Sequence, residues 1–296
     1  MQYHVDGQLV PAEEATVSVR DRGFAYGDGA FETLRAYGGT ILAWDAHADR
    51  LERTVDTLGF AEAIPPRADL RERVRATLDA NDLDDAYLKL SITRGVQPGK
   101  LTPATRVDPT IVVQASPLPR GGVDGRNAWD EPATLRTVTT RPVPDESIPA
   151  DAKTHNYLDG ILARLELQRR EGTRQSDEAD EALMLDTDGY IAEGATSNLF
   201  FVDGGVLKTP TTDLPILPGV TRSIVLQLAD EEGIPVEESR YTLESVRGAD
   251  EAFLTNTTWE LRPVAALDGD ESGGGPMTVL LARLYDQRVE RLCYTD

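Results

Sequence analysis

Apolar and polar residues alternate from the start of the chain. HVDGQLV reads as two short arms turning at Asp6-Gly7, and AFETLRAYGGTILAW as two strands turning at Gly38-Gly39. A period of two in the second stretch sets Phe31, Thr33, Arg35 and Tyr37 on one face. The period then lengthens. Residues 46 to 58 bring His47, Leu51, Thr54 and Leu58 onto one helical stripe, and a second helix covers about 67 to 80. AYLKLSITRG reads as a strand ending in a glycine turn and TIVVQASPL as a buried strand. SPLPRGGVDGR, about 116 to 126, mixes proline, glycine and charge without periodicity and is the linker candidate, giving domains 1–117 and 127–296 with 118–126 between them.

Beyond the linker come a strand near TLRTVTTRPV, a proline-broken loop and a helix from about 156 to 171, with Lys153 just ahead of it. EALMLDTDGYIAEG and NLFFVDGGVLKTP each read as a hairpin, TRSIVLQLADEEG as a helix ended by Gly233, and EAFLTNTTWELRPV as strand, polar turn and strand. GDESGGGP reads as a flexible loop before a last amphipathic helix in which Cys293 packs, and Trp44 and Trp259 read as core. No repeat of fixed period occurs, which sets solenoids and propellers aside. The 296 residues suffice to bury a sizeable core, in two domains.

Charge narrows the partners. Fifty-one acidic residues against 30 basic ones give a net charge of -21 and a pI near 4.5, so nucleic acid and anionic membrane surfaces are repelled and a small molecule is the expected ligand. The acidic residues are spread along the chain, a pattern that suits concentrated salt, where at about 1 M the screening length falls to roughly 3 Å. A halophilic, salt-rich cytosol is the expectation. No run of about 18 apolar residues occurs, and MQYHVDGQLVP lacks a basic segment followed by an apolar one, so a soluble cytoplasmic protein is expected. The single cysteine excludes an internal disulfide and a thiolate metal cluster, and His4, His47 and His155 scatter without metal-ligand spacing.

Lysine is scarce: Lys89, Lys100, Lys153 and Lys208 leave 26 of the 30 basic residues to arginine. Four polar stations elsewhere complement the amine of Lys153. Pro218 and Gly219 precede a helical pattern, so the N–H groups of Val220 and Thr221 attract an anion such as phosphate. Arg50, three residues after His47, calls for an anion or a carboxylate, although a surface ion pair is the commoner fate of such an arginine. The turn Thr255-Asn256-Thr257-Thr258 supplies hydroxyls, where a plain hairpin turn is the simpler reading. Glu193, followed by Gly194 and Ala195, is placed to neutralise a buried cation, although most such glutamates are merely solvated. An amine, a carboxylate and groups fit for phosphate are together what pyridoxal phosphate needs: its aldehyde condenses with lysine but not arginine, and its ring nitrogen stays protonated opposite a carboxylate. His155, two residues from Lys153, reads as a packed or solvated histidine.

These residues resemble the class IV aminotransferases, the fold-type IV enzymes that use pyridoxal phosphate. The resemblance runs in order through RDRGFAYGDGAFETLRAY, WDAHADRL, LSITRG, KTHNYL, DEALMLDTDGYIAEGATSNLFF, LPGVTR and FLTNTTWELRPV, nearly the whole chain. It implies a mixed α and β (α+β) fold of two domains, the N-terminal one smaller, with the cofactor in the cleft between them, in a homodimer whose partner completes the site. It implies that Lys153 holds the cofactor covalently and that Glu193 faces the pyridine nitrogen. Arg50, Gly219, Val220, Thr221 and Thr257 would hold the phosphate, Leu217 would pack on the ring, and Tyr157 would lie near the phenolic oxygen. Phe31, Thr33, Arg35, Asn256 and Thr258 fall where substrate would bind.

Within the family, the branched-chain enzymes commonly show FEG where this chain has Phe31-Glu32-Thr33, one more residue between lysine and the NY pair, and GTA where it has Asn256-Thr257-Thr258. The D-amino acid transaminases carry an arginine and a histidine a few residues after TRG, where this chain reads Gly99-Lys100-Leu101. Thr33, Asn256 and ADEALMLDTDGYIAE resemble instead the 4-amino-4-deoxychorismate lyases, which form 4-aminobenzoate and pyruvate, although the basic residue usual after TRG is displaced to Lys100. Lyase is therefore the expected reaction, with branched-chain or D-amino acid transamination as the alternative. A relative that binds the cofactor without activity would lose the lysine or glutamate first, and both are present.

Overall fold

The computed structural model describes residues 1–120, 128–170 and 179–294. Two compact units make up the chain: Met1–Arg120 with Ala152–Asn156 and Val289–Asp296, and Gly121–Asp151 with Tyr157–Arg288. Residues 121–126, most of the expected linker, lie outside the described residues. The pattern gave no sign of the two later returns to the first unit.

In the first unit β1 (Gln2–Val5), β2 (Gln8–Pro11), β3 (Gly29–Tyr37), β4 (Thr40–Ile41), β5 (Ala86–Thr93) and β6 (Thr110–Pro117) form an antiparallel sheet in the order β2-β1-β6-β5-β3-β4. Its tight turns fall where expected, with φ of 47° and 92° at Asp6 and Gly7 and of 53° and 74° at Gly38 and Gly39, the paired positive values a two-residue hairpin requires. A one-turn helix that the pattern did not announce, α1 (Arg22–Tyr26), is capped by Asp21, which accepts from Gly23 N at 2.7 Å. The longer helices α2 (Trp44–Thr57) and α3 (Arg67–Asp79) cover one sheet face, where Ala30, Leu34 and Ala36 of β3 pack with Leu88, Leu90 and Ile92 of β5 against Leu51, Val55, Val74 and Leu78. Alternation leaves Phe31, Thr33, Arg35 and Tyr37 for the other face.

The second unit holds β7 (Ala133–Thr137), α4 (Leu158–Arg170), β8 (Glu181–Leu185), β9 (Ile191–Gly194), β10 (Asn198–Asp203), β11 (Val206–Pro210), α5 (Val220–Glu231), β12 (Val236–Ser239), α6 (Leu243–Arg247), β13 (Glu251–Asn256), β14 (Glu260–Leu267), β15 (Asp270–Glu271) and α7 (Pro276–Val289). Its sheet runs β12-β11-β10-β13-β14-β7-β8-β9, with β15 paired to β14 and parallel neighbours at β11/β12, β14/β7 and β7/β8. Leu183, Leu199, Phe201, Leu254 and Val264 centre its core.

One expectation needs correction. GDESGGGP is not a free loop: it contains β15, and the buried Glu251 accepts from the N–H groups of Gly275, Met277 and Thr278. Cys293 packs, as expected, in the last helical stretch: it is buried in the π-helical turn Glu290–Tyr294 that continues α7, where burial pushes its thiol up to about 11. That turn is fastened within the first unit by Arg120, which pairs with Glu290 at 2.6 Å and covers the Tyr294 ring at 4.3 Å. Among the described residues, no helix is long and apolar enough to cross a membrane and no His/Cys/Asp/Glu group is arranged for a metal ion.

Candidate active site

Lys153 belongs to a short segment laid along the edge of β3. Phe31 N donates to Lys153 O at 3.0 Å, His155 N donates to Gly29 O at 2.9 Å, and Ala30 bridges Thr154. Lys153 N in turn donates to the buried Thr54 hydroxyl of α2 at 3.0 Å, so its backbone is held from two elements. The amine comes within 4.5 Å of the Phe31 ring centre. A second amine, Lys89 of β5, lies 4.7 Å from the same ring, and since β3 runs between β5 and the 153–155 segment, the two approach Phe31 from opposite sides of the strand. Burial lowers the Lys89 pKa from its ordinary value. Sequence reasoning passed over Lys89, although its place two residues from the partner of Phe31 on β5 was a readable signal. The His155 ring tilts against Phe31 at 5.9 Å, and burial lowers its pKa.

Arg50 is buried on α2, where its Nε and Nη2 donate to the two oxygens of Glu32 at 2.8 and 2.7 Å, while His47 Nδ1 contacts Glu32 at 2.7 Å. Burial alone would raise the Glu32 carboxyl, but the Arg50 charge and the hydrogen bonds of Arg50 and His47 prevail and lower it to about 2. His47 is lowered from its ordinary value, burial outweighing the carboxylate beside it. The inward stripe that the period predicted for α2 thus contains Arg50 itself, oriented by an acid that alternation had placed among apolar residues.

Thr33 pairs with Lys89 in the ladder and is hydrogen bonded to the side chain of Tyr87. Arg35 is fully buried, donating to Pro119 O at 2.6 Å with its guanidinium 4.7 Å from the Tyr37 ring. Lys100 and Leu101 present their carbonyls to Arg22 at 2.6 and 3.0 Å, so this segment is shaped by backbone bonds.

In the second unit Glu193, on β9, accepts at Oε2 from Leu217 N and from Asn198 Nδ2, each at 3.0 Å. The turn behind it is set by the buried Glu181, which accepts from Ala195 N at 3.1 Å and from the Thr196 hydroxyl at 2.7 Å. Gly160, three residues after Tyr157, lies against Ala195 O, which seats the start of α4 beside that turn. Leu217 leads through Pro218 to Gly219, the N-cap residue of α5, which has no side-chain cap. Its first N–H groups, on the buried Val220 and Thr221, are therefore donors for an external acceptor.

The turn between β13 and β14 is closed by Asn256, whose Oδ1 accepts from Thr258 N at 3.0 Å, Thr258 Oγ1 at 3.1 Å and Trp259 N at 2.7 Å, while Nδ2 donates to Thr196 O at 3.2 Å. Thr257 and Thr258 are half-buried in it. The structure thus gathers Phe31, Thr33, Lys153 and Arg50 around β3 and α2 in one unit, and Glu193, Leu217, Gly219, Val220 and Thr221 around the start of α5 in the other. Each unit holds groups of a kind that pyridoxal phosphate uses: a lysine amine in the first, and in the second a carboxylate anchored by two donors and an uncapped helix N-terminus suited to a phosphate.

The family model for amino-transferase class IV matches residues 29–267. A putative branched-chain-amino-acid aminotransferase of Methanocaldococcus jannaschii is 38% identical over 270 residues, 91% of this chain and 88% of that protein. The branched-chain aminotransferase of Thermoproteus uzoniensis with norvaline superposes with a TM-score of 0.87 at 31% identity, covering 98% of this chain and 94% of the other. The 4-amino-4-deoxychorismate lyase from Pseudomonas aeruginosa gives 0.80 at 32% identity, covering 98% and 99%. The chain belongs to the class IV aminotransferase family.

Proposed function

We propose that the chain is a pyridoxal-phosphate-dependent enzyme that moves the amino group of an L-amino acid with a branched apolar side chain to a keto acid. The observation that carries the reading is the Lys153 amine, held through its backbone by β3 and α2 and turned onto the Phe31 ring. Pyridoxal phosphate, when bound, supplies an aldehyde that a lysine amine holds and a ring that accepts electrons from a substrate α-carbon. Lys153 would hold the cofactor, and its amine would move the proton at the substrate α-carbon. Glu193 holds the ring nitrogen in its protonated form. The N–H groups of Val220 and Thr221, the Thr257 hydroxyl and the Arg50 guanidinium receive the phosphate. Leu217 would pack on the ring, and Tyr157 would lie near the phenolic oxygen. Phe31 and Thr258 would lie on the substrate side, whereas Arg35, expected there, is fully buried against Pro119 and Tyr37.

Transfer is favoured over elimination by two of the three features on which the lyase likeness rests. The Thr33 side chain is engaged with Tyr87, and Asn256 Oδ1 accepts three hydrogen bonds inside its own turn, so both shape strand and turn. The 38% identity to the archaeal relative adds support. The second reading, release of 4-aminobenzoate and pyruvate from 4-amino-4-deoxychorismate, is supported by the 32% identity to the Pseudomonas lyase, 99% of whose length is covered. A D-amino acid substrate is disfavoured because the arginine and histidine expected after TRG are missing. A homodimer is part of the proposal: Val19, Phe24 and Leu101 expose apolar surface to 75, 71 and 78%, on two segments that Arg22 ties together, and a second copy of the chain would cover it.

The test is a substrate panel on the purified protein in concentrated KCl. L-leucine, L-valine and D-alanine are offered with 2-oxoglutarate, and 4-amino-4-deoxychorismate is offered without an acceptor. Efficient turnover of the branched L-amino acids, strictly dependent on the keto acid, is expected. Pyruvate release from 4-amino-4-deoxychorismate without an acceptor, with no turnover of L-leucine, would reverse the ranking in favour of the lyase.

A further inference from the structure

Asn198, the first residue of β10, is buried and joins three parts of the second unit. Its Nδ2 donates to Glu193 Oε2 at 3.0 Å and to Leu217 O at 2.9 Å, so both amide hydrogens are used. Its Oδ1 lies against Gly219: a Cβ added there would stand 2.1 Å from it. Gly219 has φ -67 and ψ 138, values any residue adopts, so the Asn198 amide rather than backbone strain requires glycine at the start of α5.

We propose that Asn198 is a positioning residue that fixes Glu193 and the N-terminus of α5 in one rigid arrangement, setting the distance between the carboxylate for the ring nitrogen and the donors for the phosphate. The proposal rests on the reading of Glu193 and α5 given above. Leu217 closes the link, since its N–H donates to the same Glu193 oxygen while its carbonyl receives the Asn198 amide. An acid at position 198 would keep the shape and lose both donors, setting a second carboxylate against Glu193. A methyl group at position 219 would displace the Asn198 amide without altering its chemistry. Two different substitutions should therefore produce one phenotype.

Asn198→Asp, Gly219→Ala and Glu193→Gln are compared with the parent by the dissociation constant of pyridoxal phosphate from the apoprotein, the pH dependence of the bound cofactor's visible spectrum, and thermal midpoint. Asn198→Asp and Gly219→Ala are each expected to weaken cofactor binding about tenfold or more, the loss typical of a hydrogen bond to a charged group, and to shift the spectral pH profile in the same direction. Asn198→Asp combined with Glu193→Gln restores a donor and acceptor in swapped order, so the pair should bind cofactor more tightly than Asn198→Asp alone while turnover stays low. A purely structural role would lower the thermal midpoint and leave the spectrum and the swapped pair without effect, which overturns the proposal. Wild-type affinity and spectrum in Asn198→Asp and Gly219→Ala, with turnover lost in Glu193→Gln, would also refute it while leaving the site reading standing. If Glu193→Gln itself keeps wild-type turnover and spectrum, the site reading fails and this inference with it.

Discussion

At Glu32 burial and pairing oppose each other, and pairing wins: burial raises the carboxyl, while Arg50 and His47 bring it down to about 2. A carboxylate whose pKa is depressed by folding stabilises the fold above its ordinary value near 4.5, and that contribution disappears as the pH falls from there to about 2. His47, also depressed, acts in the same direction earlier, because below its ordinary 6.5 the unfolded chain takes up a proton that the folded one does not. Glu32→Gln leaves Arg50 buried without its counter-charge and is expected to cost about 3–5 kcal/mol at pH 7. Denaturant midpoints of parent and variant at pH 7 and pH 3 check it, and the gap should narrow at the lower pH; an equal gap at both would remove the ionised pair from the account. Lys153 and Glu193 could be singled out as candidates in the sequence because their chemistry is rare or sits at an identifiable turn. Glu32 was not, since its partners lie 15 and 18 residues away and nothing local marks an acid in an alternating strand as buried.

Elements with a sustained period were legible, and those shaped by one tertiary contact were not. The hairpins at Asp6-Gly7 and Gly38-Gly39 and helices α2, α3, α4 and α5 follow directly from alternation and from the stripe of apolar residues. The five-residue helices α1 and α6 are too short to show a period, and β12 reads VEES, a mostly exposed edge without alternation. GDESGGGP was misread for a physical reason. Its glycines signalled freedom, yet a Cβ on Gly275 would stand 2.3 Å from the Glu251 carboxyl carbon, so that glycine serves close approach. The uncapped start of α5 was visible in ILPGVTRS, whereas the Asn198 amide packed against it depends on β10 and could not be seen from spacing.

For the whole molecule, 51 acidic residues against 30 basic ones leave 21 negative charges that no arginine or lysine can balance. Exposed clusters such as Arg67 with Asp49 and Glu52 relieve the repulsion locally, and isolated surface pairs contribute little. Raising KCl from about 0.1 to 1 M cuts the screening length from about 10 to 3 Å, so repulsion weakens more than pairing and the thermal midpoint is expected to rise by about 5 °C or more. A midpoint that stays level or falls would show that surface pairs dominate and would remove the salt-rich cytosol from the account. The central claim, that Lys153 is the residue on which the chemistry turns, has a direct measurement: the holoprotein is reduced with sodium borohydride, digested and mapped by mass. A phosphopyridoxyl group on the peptide containing Lys153, and on no other, is the expected result. The same mass on the peptide carrying Lys89, whose amine faces the same Phe31 ring, or on those carrying Lys100 or Lys208, would contradict it.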